Sequence, residues 1–167
     1  MPGSTMDNEN DYLLDAREEL KRLEHIIFVS LKYTRTVDVI INALNRMVST
    51  FDYVVEGFLH KALEEGTIES IPKSPALRAR RVAEMHADDL QLQKYLTYYR
   101  FLKEILKLPH EKREEYRRHV TYIVALENST AEIKIDNLTH AEKYMHEFLR
   151  YTWNKIMGEP EQEEKDL

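Results

Sequence analysis

The chain has 167 residues, the length of a single domain, with 24 Lys and Arg against 30 Asp and Glu and a formal net charge of −6. It contains no Cys, which excludes disulfides, thiolate metal sites and cysteine nucleophiles. Its four Gly are isolated, so neither a dinucleotide-binding motif nor a P-loop is present, and enzymes that depend on those motifs are excluded.

Apolar residues recur at helical spacing through the first part of the chain. Over residues 11–31 they fall at alternating intervals of three and four, which predicts one amphipathic helix. A wider stripe over residues 37–62 predicts a central helix that is contacted from two sides. Gly66 is expected to end this helix, because glycine favours the left-handed conformation that follows many helix C-termini.

Proline and small polar residues mark the remaining boundaries. Residues 66–74 form a loop, after which Ser74 and Pro75 are a favoured N-cap and first helical residue. This third helix is expected to run to about Lys107, and a fourth helix is expected over residues 109–126.

Two further capping boxes are predicted, at Ser129 with Glu132 and at Thr139 with Glu142. The second box predicts a final helix over residues 139–157, and no segment shows the alternation of a strand. The predicted fold class is therefore all-α, an antiparallel bundle of four to five long helices in a single domain. The predicted organisation is a disordered N-terminus (1–9), the helical domain (10–157) and an acidic disordered tail (158–167).

Charge is segregated along the chain. Residues 1–66 and 119–167 each carry a net charge of −5, whereas residues 72–118 carry +5. The basic segment predicts either a helical hairpin beside acidic neighbours or a nucleic-acid-binding surface. The candidate phosphate contacts are Arg78, Arg80, Arg117 and Arg118, and the candidates for base stacking are Tyr95, Tyr98 and Tyr99.

The histidine spacing argues against the common helical metal sites. None of the seven His follows a Glu by three residues, as in di-iron bundles, and the His-Glu-x-x-His motif of zinc hydrolases is absent. His86 and Asp89 lie one turn apart, but two such residues on one helix are common without a metal. His146, among apolar residues of the last helix, is interpreted as a residue at the core boundary. We therefore expect no metal site and no cofactor.

Two Arg–His pairs have a spacing that is found in a known superfamily. Four residues separate Arg81 from His86, and five separate Arg113 from His119. This pattern resembles the Arg-x4–6-His motif of the HEPN superfamily, compact all-α domains that often dimerise and include many metal-independent ribonucleases. The resemblance implies that one of the two His acts as general acid or base on a ribose 2′-hydroxyl. It also implies that one of the two Arg stabilises the phosphorane charge.

Two functional hypotheses follow. The favoured one is a non-enzymatic helical module that forms a homodimer through apolar helix faces and binds a protein or RNA partner. The alternative is a metal-independent ribonuclease that uses the Arg–His pairs at a dimer cleft. Because the sequence has no leader-like start and no apolar run long enough for a bilayer, we expect a cytoplasmic protein without membrane contact.

Overall fold

The structure is a computed structural model that describes the backbone of residues 2–158 and the side chains of residues 11–158. The predominance of helix is confirmed, but a small sheet lies between the last two helices. The elements are α1 (Pro2–His25), a π-helical segment (Ile26–Ser30), the single turn α2 (Leu31–Tyr33), α3 (Val37–Glu64), α4 (Pro75–Met85), α5 (Leu90–Lys107), β1 (His110–Arg113), β2 (Thr121–Ala125), β3 (Thr130–Ile133) and α6 (Ile135–Met157).

Both predicted disordered ends stay predictions. Within the tail over 158–167, residues after Gly158 lie outside the described residues. The N-terminal segment over 1–9 overlaps the first turns of α1, and the structure does not describe side chains before Asp11.

The central helix predicted from the wide apolar stripe is α3. It packs against α1, α4, α5, α6 and β2. Its buried positions recur at every turn from Val37 to Ala62, so the prediction is confirmed. At its start, Thr36 Oγ1 accepts a hydrogen bond from the Val39 N–H at 3.3 Å. After its end, Gly66 adopts the left-handed conformation with φ of 78°.

The first predicted helix has one buried face along its whole length, but its backbone is not α-helical throughout. The predicted apolar stripe is buried along its whole length, from Leu13 to Leu31. Between these residues the backbone widens into the π-helical segment. α1 runs antiparallel to α3, since Tyr12 meets His60 and Glu19 meets Arg46.

The third predicted helix is two helices. Ser74 Oγ accepts the Leu77 N–H at 3.1 Å and Pro75 is the first helical residue, as expected. The expected continuation to Lys107 is wrong, because α4 ends at Met85. α5 begins after Asp89, whose carboxylate accepts the Leu92 N–H at 3.0 Å. An Asp that bonds to the backbone two or three residues ahead favours a new N-terminus over a continued helix.

The predicted fourth helix over residues 109–126 is wrong, and the all-helical bundle is wrong in this respect. The segment contains β1 and β2, and β3 follows to complete an antiparallel sheet in the order β1-β2-β3. Val120, Tyr122 and Val124 are buried, and the run they belong to is β-branched and aromatic.

Backbone geometry and side-chain bonds hold the sheet in place. Glu114 and Tyr116, in the β1–β2 connection, have φ of 58° and 66°, which a right-handed helix cannot contain. The Tyr116 N–H donates to the Arg35 carbonyl at 2.7 Å. The Tyr122 hydroxyl donates to the Ile105 carbonyl at 3.1 Å, so β2 is tied to the end of α5.

Both late capping boxes are wrong. Ser129 and Glu132 belong to the turn and strand of β3, not to a helix start. α6 begins at Ile135, four residues before the predicted start, where Asn137 Oδ1 accepts the Lys134 N–H at 2.8 Å. Thr139 lies inside the helix and donates to the Ile135 carbonyl at 3.2 Å.

Candidate functional site

The first Arg–His pair lies near the C-terminus of α4. Arg81 is exposed, and its Nη1 lies 3.6 Å from Glu84 Oε2. His86 follows the last residue of α4 and is half-buried, with its ring 5.0 Å from that of Phe58. It lines a cavity of about 130 Å³ together with Lys61 and Lys155, whereas Arg81 is not among the lining residues. The pair therefore does not act on one cavity within the chain.

The electrostatic setting of His86 keeps its imidazole neutral. Burial lowers its pKa, and the charge of Lys155 lowers it further, against the opposing effect of Asp89. A neutral imidazole has a free nitrogen lone pair that can take the proton of a reacting hydroxyl, which is the property that a general base requires.

The second Arg–His pair lies on the sheet. Arg113 Nη2 is 2.9 Å from Glu132 Oε1 on β3, so this arginine bridges the two outer strands. His119 is exposed before β2, and its carbonyl accepts the Thr121 hydroxyl at 2.7 Å. The two predicted pairs thus lie on different elements, and each arginine already faces a glutamate.

The four candidate phosphate contacts differ in their surroundings. Arg78 Nη1 is paired with Glu56, and its Nε donates to the Pro72 carbonyl at 2.7 Å. Arg117 lies in the β1–β2 connection with its Nη1 4.0 Å from Glu114. Arg118, in the same connection, is exposed. Arg80 is exposed on α4 and lines a groove between α4 and α5.

The predicted base-stacking tyrosines are wrong. Tyr95 and Tyr99 are buried, with rings packed on Phe148 and Phe51. Tyr98 is half-buried, with its ring edge-to-face against that of Tyr144, which is itself half-buried. Spacing alone placed them on a basic helix, but they occupy the face of α5 that packs on α3 and α6.

The groove that contains Arg80 is a concentration of positive charge. Its volume is about 140 Å³, and it is lined by three alanines, a leucine and the cations Arg80, Arg100 and Lys103. We call these three residues the basic groove. Burial lowers the pKa of Lys103; Asp52 opposes this effect, while Lys107 and Arg100 lower the pKa further. Among residues 11–158, none of the three is in an ion pair, in contrast with Arg78 and Arg81 of α4.

Sequence analysis missed Arg100 and Lys103. The signal was present, because Arg100, Lys103 and Lys107 are spaced three and four residues apart and so share one face of α5. In a single helix over residues 75–107, Arg80 would lie far from Arg100 and Lys103; the chain reversal between α4 and α5 brings them together.

A second concave region lies between α1 and α6. This cleft has a volume of about 480 Å³ and is lined by both apolar and basic side chains. The Arg17 guanidinium lies 5.7 Å from the Trp153 ring centre, a cation–π contact across the cleft. The two helices run antiparallel, since Glu24 and His146 meet at the other end.

Three residues at that end are the donors that could hold a metal. His146 Nε2 lies 2.5 Å from Glu24 Oε1 and 2.7 Å from Glu142 Oε1. We call Glu24, Glu142 and His146 the α1–α6 cluster. No metal site was expected because none of the His follows a Glu by three residues. In the α1–α6 cluster, however, Glu142 precedes His146 by four residues. Glu24 comes from a different helix, and sequence spacing does not identify it.

Comparisons with known proteins assign no role to these residues. No family model, no curated protein and no solved structure matches this chain. None of the helices that the structure describes is long and apolar enough to cross a membrane.

Proposed function

We propose that this chain is a helical module that self-associates and binds RNA through the basic groove. The observation that carries the proposal is the set of three cations around one concave surface, none of them ion-paired within residues 11–158. Cations that form no ion pair with a protein carboxylate are the groups best placed to replace counterions on a phosphate backbone. Pairing with acidic neighbours accounts for Arg78, which meets Glu56, whereas Arg80, Arg100 and Lys103 form no ion pair among residues 11–158.

The row of cations on α5 suits a phosphate backbone. Lys107, exposed one turn beyond Lys103, extends this row past the basic groove, and Arg100 and Lys107 lie about 10 Å apart along the helix axis at about 1.5 Å per residue. This distance spans a few phosphates of one strand. The alanines that line the groove leave room for a backbone to approach the cations.

Contacts of this kind position a nucleic acid without reading its sequence. Because the tyrosines predicted to stack on bases are packed in the core or against it, we expect little sequence preference. The proposal therefore concerns phosphate recognition by Arg80, Arg100 and Lys103.

The test is the salt dependence of RNA binding. Fluorescence anisotropy with a labelled single-stranded RNA should show affinity that falls steeply as salt rises. Arg80→Ala, Arg100→Ala and Lys103→Ala should each weaken binding and reduce the slope of log K against log salt by about 0.7. Lys143→Ala removes an exposed cation from α6 and is the matched control for net charge.

Two outcomes would contradict the proposal. One is RNA affinity that the three groove variants weaken no more than Lys143→Ala does. The other is loss of binding only on Arg117→Ala and Arg118→Ala, which would move the interface to the β1–β2 connection.

Self-association is part of the same proposal and has its own test. Phe28 and Val29, on the π-helical segment, are exposed apolar neighbours that a second copy would cover. Sedimentation velocity should show a dimer that Phe28→Glu weakens. A strict monomer at all concentrations would contradict this part and leave RNA binding standing.

A metal-independent ribonuclease is a second candidate, because one observation favours it. His86 is half-buried with a lowered pKa in a cavity that Lys61 and Lys155 also line. A neutral imidazole beside two cations has the properties of a general base next to groups that stabilise phosphorane charge. Labelled RNA incubated with the chain in EDTA tests this candidate.

The outcomes for the ribonuclease are distinct from those for binding. Cleavage that His86→Ala abolishes would support it, with Arg81→Ala expected to have little effect because Arg81 does not line the cavity. Cleavage lost only on changing Arg113 or His119 would assign it to the sheet instead, and no cleavage would exclude the class.

A further inference from the structure

The end of the α1–α6 cleft carries a donor set that RNA binding does not use. We propose that Glu24, Glu142 and His146 bind one divalent transition-metal ion, such as Zn²⁺, and leave one coordination position open toward the cleft. The site joins two helices, since Glu24 lies on α1 whereas Glu142 and His146 lie on α6.

The three side chains already converge on one point. Their donor atoms, one imidazole nitrogen and two carboxylate oxygens, all lie within 4.8 Å of one another. In a tetrahedral site with bonds of about 2.0–2.2 Å, donor atoms are about 3.3 Å apart. Small side-chain rotations would therefore place all three on a single ion. Glu142 and His146 are one turn apart on the same face of α6, so that helix fixes two of the ligands.

The charge of the α1–α6 cluster favours a cation. Two carboxylates face one imidazole, which contributes at most a single positive charge. In the part of the chain with described side chains, His146 is the ion-pair partner of both Glu24 and Glu142, and no Lys or Arg is paired with either. The nearby Lys21 is paired with Glu18 at 3.2 Å.

Burial adds to this imbalance. Glu142 is 8% exposed, so water screens its charge less than that of a surface carboxylate. A divalent ion would balance both carboxylates and bind the neutral imidazole, which is the metal-binding form of histidine. A mixed set of nitrogen and oxygen donors suits Zn²⁺, Co²⁺ and similar ions better than Mg²⁺ or Ca²⁺.

The cleft indicates what the open position accepts. Three protein ligands with a fourth position free is the arrangement of exchangeable zinc sites. The cleft beside it is lined by Arg17, Arg150 and Trp153, which present two guanidinium groups and an aromatic surface. A small anion with a carboxylate or phosphate group would bind the ion and these cations together.

Calorimetric titration of Zn²⁺ into the untagged, chelator-treated chain tests the ligand set. We expect one ion per chain, with affinity reduced more than about tenfold by Glu142→Gln and by His146→Asn. Glu147→Gln and His140→Asn change the same residue types at exposed positions of α6 and should leave the affinity unchanged. Glu24→Gln, on α1, should weaken binding as the α6 variants do.

Thermal unfolding of each metal-free variant, followed by circular dichroism, shows whether it is folded, so a lost ligand is distinguished from a lost fold. Equal Zn²⁺ affinity in the three cluster variants and the two controls would overturn the proposal. Affinity of wild type weaker than about 1 mM would overturn it too.

Co²⁺ tests the open position, because its visible spectrum depends on coordination. Acetate should change the spectrum of the Co²⁺ form, and Arg150→Ala should raise the acetate concentration required. A spectrum that acetate leaves unchanged would overturn the open position.

Discussion

Phe51→Ala should destabilise the chain more than any other single truncation discussed here. Phe51 is fully buried on α3, with its ring 4.9 Å from that of Tyr99 on α5 and 4.3 Å from that of Phe148 on α6. Loss of a buried side chain of this size costs about 1.5–3 kcal/mol in transfer free energy. Each aromatic contact adds roughly 0.5–1.5 kcal/mol, and a cavity remains, so the expected loss is about 3–5 kcal/mol.

Urea unfolding followed by far-ultraviolet circular dichroism measures this loss as a lower midpoint. In thermal unfolding, the same loss corresponds to a decrease of roughly 6–20 °C for a domain of this size. Phe101→Ala, at an exposed position of α5, is the matched control and should cost far less. A decrease below about 1 kcal/mol for Phe51→Ala would refute the assignment of α3 as the buried centre.

Further predictions concern single local features. Asp89→Asn should lower the free energy of unfolding at neutral pH by roughly 1–2 kcal/mol, measured by urea titration at several pH values. Burial alone would raise the pKa of Asp89, but hydrogen bonds from Tyr151, the Leu92 N–H and Lys155 lower it to about 2. The contribution is therefore complete above the unfolded pKa of about 3.9 and is lost as pH falls through about 2, so the two proteins should converge in acid. Gly66→Ala should cost about 1–2 kcal/mol in the same assay, because φ is +78° there, whereas equal stability would show that the turn relaxes. Tyr122→Phe should cost about 0.5–1.5 kcal/mol by removing the hydroxyl's hydrogen bond to the Ile105 carbonyl, which keeps the Leu108 N–H as its other donor, and an unchanged midpoint would show that the hydroxyl does not tie β2 to α5.

Helices with a strong apolar stripe and local caps were predictable from sequence. The stripe of α3, the N-cap at Ser74 and the glycine at Gly66 depend on residues only a few positions apart. Local spacing therefore contained the information that determines them.

The sheet was not predicted because its signal is ambiguous over short segments. Val120, Ile123 and Val124 fit one face of a helix as well as they fit a strand. A strand is favoured because the run is rich in β-branched residues. The connection before it also contains residues with positive φ, which a helix cannot contain. Three strands of four or five residues are stable here because β2 packs on α3 and the Tyr122 hydroxyl binds the end of α5.

The candidate sites were predictable only in part, because both depend on contacts between distant segments. The basic segment was identified from charge, and Arg80 with it, but Arg100 and Lys103 join Arg80 only because α5 folds back beside α4. Glu142 and His146 share a helical face that spacing can detect. Glu24 reaches them only through the packing of α1 on α6.

The same basic segment contains arginines with opposite expected roles, and two of them, Arg78 and Arg80, lie only two residues apart on α4. Arg78 is paired with Glu56 on α3 and bonded to the Pro72 carbonyl, so Arg78→Ala should lower stability with little change in RNA affinity. Arg80 is exposed beside the groove and has no such bonds among the described residues, so Arg80→Ala should weaken RNA binding at unchanged stability. Measuring both properties on both variants is decisive, because general loss of positive charge would weaken RNA binding equally in the two. Equal weakening would mean that the charge of the segment, and not the geometry of the groove, attracts RNA.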